Sequence, residues 1–160
     1  MRSGRPLFLA ELERDRMHRV TGDSAARTKA ARSVLRQARD FRRAASTSVT
    51  EELFLPAVSA LQESARLAVT AVAAFNGWRF SNTAGSHESV IDYGYAVQLV
   101  DRQQFAQLDQ LRELRHQVNY PADLIAPTAN EVAQFAGLVD LVIEAVIQRI
   151  PAPRIPPPPT

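Results

Sequence analysis

From residue 24 to residue 150 the apolar residues return at three- and four-residue steps in one segment after another, and nowhere do they alternate. That rhythm is the spacing of one face of a helix, and a strand would need period two instead. In "AARTKAARSVLRQARDFRRAAS" the positions Ala31, Val34, Leu35, Ala38, Phe41 and Ala45 make the stripe, while Arg32, Arg36, Arg39 and Arg43 fill the other side. Asp23 and Ser24 in "TGDS" are its cap candidates. A second helix is expected from about Leu55 to Asn76, with Val58, Leu61, Ala65, Ala68, Val72 and Phe75 facing the core. Pro56 fits its first turn and Asn76-Gly77 offers a left-handed stop. Its many alanines point to a close helical neighbour.

"GWRFSNTAGSHES" is read as a loop leading to a shorter helix in "ESVIDYGYAVQLV". Asp101 caps the next, "RQQFAQLDQLRELRHQVNY", and Pro121 ends it. After the connector "PADLIAP", Thr128 and Glu131 make a capping box for the last helix, "ANEVAQFAGLVDLVIEAVIQRI". The expectation is an all-α helical bundle of about five helices over residues 23–150. Residues 1–22 would be an N-terminal arm or short helix, and residues 151–160, "PAPRIPPPPT", a proline-rich disordered tail.

Composition narrows the function classes. A chain of 160 residues with 46% apolar content builds one core. With no cysteine there are no disulfides and no thiolate metal sites, and three scattered histidines (His18, His87, His116) do not make a metal centre. The longest apolar run, "LAVTAVAAF", is far short of the roughly 20 residues of a membrane span, and the N-terminus lacks the apolar core of a signal peptide. A cytoplasmic protein with no membrane contact is the simplest reading. Neither phosphate-cradling glycine motif, GxxxxGK[ST] or GxGxxG, is present, and no cofactor is expected. The net charge of +2 hides an asymmetry: residues 1–50 carry 12 Lys/Arg against 5 Asp/Glu, and of the 19 basic residues 18 are arginine. Arginine's planar fork suits phosphate, although a solvated helix face accounts for the same charges.

The stretch "LRELRHQVNY" concentrates the polar chemistry. At about 100° per residue, Leu108, Leu111, Leu114 and Val118 fall in one arc that faces the core. Arg112, Arg115, His116 and Asn119 form a second arc beside it, at three- and four-residue separations that make their side chains neighbours. Two guanidiniums at a core margin favour a nearby anion or acidic partner, with Asp109 and Glu113 as the alternative counter-charges. His87, in "GSHES", is a second base candidate or a helix cap.

The order of elements, with "RELRHQVNY" closing the fourth helix before a capped fifth and "GSH" following the second, resembles the HEPN superfamily of small α-helical domains, over about residues 24–148. That family's signature is an arginine, a polar residue, a few further positions and a histidine. Arg115 matches the arginine and His116 the polar residue, and Tyr120 stands where the histidine is expected. The resemblance implies a homodimer in which two motifs meet in one cleft, and a metal-independent ribonuclease with arginine at the scissile phosphate and a base on the 2′-hydroxyl. It makes Arg115, His116 and Tyr120 the catalytic candidates, and Arg112, Arg115 and Asn119 the RNA- or anion-binding ones. Because an unperturbed phenol titrates near pH 10, Tyr120 is a poor base. The reading favoured is a HEPN-like domain with RNA-linked function, non-catalytic or weakly catalytic, that binds RNA, a nucleotide or a protein partner. An active ribonuclease, as the toxin of a toxin–antitoxin or defence module beside an antitoxin or nucleotidyltransferase, is one alternative. A structural oligomerisation or adaptor bundle is the other.

Overall fold

Asp23 starts the longest helix as its spacing predicts. Its carboxylate accepts a hydrogen bond from the Ala26 amide at 2.7 Å, and α2 then runs over Ser24–Thr50. The computed structural model describes residues 6–82, 86–119 and 126–152, with the backbone alone of Ser86, Val118 and Asn119. Before α2 come a short helix α1 (Leu9–Asp15) and a strand β1 (Met17–Arg19). After it come α3 (Phe54–Phe75), β2 (Trp78–Phe80), α4 (Ser86–Ala96), α5 (Arg102–Asn119) and α6 (Ala129–Arg149).

The expected all-α class stands, but the expected five helices become six among the described residues, and a small β-ribbon joins them. β1 and β2 pair antiparallel, Met17 opposite Phe80, His18 opposite Arg79 and Arg19 opposite Trp78. Three-residue strands are too short to display a period, so nothing in "GWRF" or "MHR" separated them from loop. Pairing brings residues 17–19 onto the bundle, and Leu12 and Met17 are buried in its core.

α3 is the centre of the bundle. Val58, Leu61, Ala65, Ala68 and Val72 are buried as the stripe predicts, and Ala57, Leu67, Val69, Ala71 and Ala73 are buried too. It touches α2, α4, α5 and α6, and its alanines let α2 lie alongside it over most of its length. Ser64 stitches the two together by donating to the Ala38 carbonyl at 2.7 Å. Gly77 ends the helix at φ +81°, a left-handed backbone that favours glycine. A Cβ there would also meet the Arg27 side chain at 3.2 Å.

The remaining caps hold as well. Asp101 and Gln104 exchange hydrogen bonds at 2.8 and 2.9 Å at the start of α5. Thr128 and Glu131 do the same for α6. Leu108 and Leu111 of α5 are buried and Leu114 packs at the core's edge. No described helix is long and apolar enough to cross a membrane.

One stripe position is corrected. Phe41, expected in the core face of α2, is 41% exposed. The place facing α6 is taken by Arg42, which forms a bidentate pair with Asp140 at 2.8 and 2.9 Å. The two residues are one step apart, so a rotation of about 100° trades one for the other. With Arg42 turned toward α6, Phe41 faces the groove described next.

Candidate functional site

A groove of about 920 Å³ lies along one face of α3. Its floor is Pro56, Ser59, Ala60, Glu63, Arg66 and Thr70, which recur at helical spacing over about 21 Å of axis. One wall is α2, through Phe41, Ala44 and Ser48; the other is α4 and α5, through His87, Val90 and Arg115. β2 and the residues after it, Arg79 to Asn82, line it as well.

Arg115 enters this groove from the last part of α5. Its Nη1 donates to Oε1 of Gln62 at 3.1 Å, and Gln62 is itself only 3% exposed, so a buried amide sets the direction of the guanidinium. Beside it Arg66 grips Glu63 with two hydrogen bonds at 2.9 and 2.5 Å. Those bonds hold the Glu63 carboxyl below its ordinary range against the cost of burial, and the charges of Arg66, Arg115 and His87 add to the effect. Among the described residues, three arginines therefore line the groove against one carboxylate, already engaged by one of them. Arg115 and Arg79 add positive charge beyond that pair.

His87 shares the groove. Desolvation holds its pKa below the ordinary value, the positive charges of Arg66 and Arg115 push the same way, and Glu63 partly opposes them. The imidazole is thus neutral near pH 7 and gains a proton more readily once an anion lies beside it. His18 stands at the outer edge, opposite Arg79 in the ribbon and with Nδ1 3.3 Å from the Ser81 hydroxyl.

The sequence arc is divided by the structure. Arg112, a neighbour of Arg115 on the helical wheel, does not line the groove. Its Nε donates to Asp109 at 3.0 Å, Glu113 accepts from Nη2, and Glu88 of α4 lies 3.5 Å from Nη1. Burial opposes its charge, but the Asp109 hydrogen bond and the three carboxylates outweigh that and raise its pKa. His116 is exposed on α5. The Asn119 side chain and the whole of Tyr120 lie outside the described residues. Of the sequence candidates, then, the structure places Arg115 in the groove, together with His87, the second base candidate.

Helical spacing does not single out Glu63, Arg66 or Arg79 as site residues, and it assigns Phe41 to the core face. A signal was present for the first two: "QESARLA" sets a Glu and an Arg three apart inside an otherwise small and apolar helix. Arg79 carried no such mark, because its position depends on the ribbon. Among the described residues no cluster of His, Asp and Glu is placed to hold a metal ion.

A family model described as HEPN domain matches residues 31–150, three quarters of the chain. Comparison with curated proteins and with solved structures gives no match.

Proposed function

The chain belongs to the HEPN domain family, and on that premise we propose that it binds RNA in the α3 groove with little or no cleavage. The observation that carries this reading is Arg115, the residue matching the family's motif arginine, held by buried Gln62 in a groove shared with Arg66 and Arg79. Guanidinium groups meet phosphate in bidentate fashion, and a groove walled by protein strengthens that attraction relative to open water. Arg112 acts differently on this reading. With three carboxylates around it, it fastens α5 to α4 and leaves the phosphate contacts to Arg115. Weak or absent cleavage follows from Tyr120, a phenol where the motif carries its base.

The test is fluorescence anisotropy of labelled single-stranded RNA against salt concentration. Three neutralised phosphates give a log–log slope of about −2. No binding at low salt would overturn the proposal.

His87 supports a second reading, the metal-independent ribonuclease, because a neutral imidazole lies in the same groove as Arg115. Cleavage of single-stranded RNA in EDTA, abolished by His87→Ala, would establish it. Intact RNA at high protein concentration would remove it. The family pattern further implies pairing of two copies, which light scattering reads directly, and an antitoxin or nucleotidyltransferase as protein partner.

A further inference from the structure

We propose that Phe41 is a nucleobase-stacking platform, so that the α3 groove takes an unpaired ribonucleotide with its base on the ring and its backbone phosphates on Arg66, Arg79 and Arg115. This deepens the RNA-binding reading and rests on it. Two phenylalanines among the described residues are exposed, Phe8 at 65% and Phe41 at 41%. Phe41 lies in the wall of the cationic groove, and Phe8 lies in a different depression with Tyr95 and Leu99.

The ring is held out by the structure. The side facing α6 is taken by Arg42, paired with the largely exposed Asp140, and the ring lines the groove instead. An exposed phenyl ring in a groove that also holds guanidinium groups is poor for a globular core and well suited to a ligand that is flat and apolar on its faces and anionic at its edge. A nucleotide has that make-up. Antiparallel packing fixes the spacing: with Ser64 bonded to Ala38, Phe41 comes alongside the Ala60 region of α3, and Glu63 and Arg66 follow within the next two turns. Base and phosphate contacts are therefore separated along one groove, as a strand with splayed bases requires. The hydroxyl residues Ser48 and Ser59 line the Phe41 end and offer polar groups to a base edge. A duplex keeps its base faces stacked on one another, so this arrangement selects single strands. Stacking tolerates any base, and preference among sequences is correspondingly weak.

The experiment uses the full chain and two polyanions: labelled oligo(rA), and inorganic polyphosphate as a competitor without bases. Removal of an aromatic platform costs on the order of tenfold in affinity. Phe41→Ala should lose that factor for oligo(rA) and keep polyphosphate affinity within about twofold. Phe41→Trp should restore oligo(rA) binding, and Phe41→Leu, apolar without a π-face, should not. Unchanged oligo(rA) affinity in Phe41→Ala, an equal loss for polyphosphate, or a changed oligomeric state of that variant would overturn the platform alone, since wild-type binding would still stand. If the wild-type protein binds neither polyanion, the RNA reading fails and takes the platform with it.

Discussion

Arg112 and Arg115 stand three residues apart on the same helix, yet they live in opposite electrostatic surroundings. Arg112 is enclosed by Asp109, Glu113 and Glu88, with its side chain 12% exposed. Arg115 meets the neutral amide of Gln62 and opens into a groove that holds Arg66 and Arg79. Helical spacing decides which residues are neighbours, but elements distant in sequence decide whether a charge is spent within the fold or left for a ligand. Glu88 comes from α4 and Gln62 from α3, and neither is implied by "LRELRHQVNY".

The largest expected effect is on stability. Arg112→Ala leaves three carboxylates without their shared cation, and about 2 kcal/mol is expected; Glu88 and Glu113 stay partly in water, which keeps the figure below that of a fully buried pair. Arg115→Ala strands one amide oxygen and should cost about 1 kcal/mol. Chemical denaturation of the two variants reads the difference, and equal losses would remove the distinction between a fastening arginine and a binding one.

Glu63→Gln sharpens the comparison from the groove side. Glu63 is the one carboxylate lining the groove among the described residues, and its removal releases Arg66 toward the ligand. RNA affinity should rise on the order of threefold to tenfold, about 1 kcal/mol, with a steeper salt slope. A fall in affinity would mean that Glu63 serves binding by holding Arg66 in place.

A smaller effect is expected from pH. His87 is held below its ordinary value in the free protein, so as pH falls through the ordinary histidine range, about 6.5, the unfolded chain takes up the proton first. The stability present at neutral pH is lost as pH drops through the folded-state value. A bound phosphate favours the imidazolium, so RNA affinity should rise over the same window, on the order of threefold. Isothermal titration at several pH values checks this, and His87→Ala should flatten the profile. A slope that survives in that variant would assign the proton elsewhere.

Much of the fold was legible in the chain because it is written locally. Asp23, Asp101 and the Thr128–Glu131 box each fix a helix start through residues within three positions, and the α3 stripe follows from spacing alone. Less of the candidate site was legible. Phe41 reads as core by its position, whereas the side facing α6 goes to Arg42, whose partner Asp140 is 98 residues away. Arg79 reaches the groove through strand pairing with residues 17–19, a tertiary event with no local period. Spacing and the family resemblance both single out Arg115, whereas its separation from Arg112 depends on which helices lie beside each.

The most direct test of the central claim is the salt dependence of single-stranded RNA binding, measured side by side for wild type, Arg112→Ala and Arg115→Ala at a temperature where all three are folded. Arg115→Ala should weaken binding and make the log–log slope shallower by about one, while Arg112→Ala should run parallel to wild type. An Arg112→Ala line that loses slope as Arg115→Ala does, or an Arg115→Ala line parallel to wild type, would contradict it.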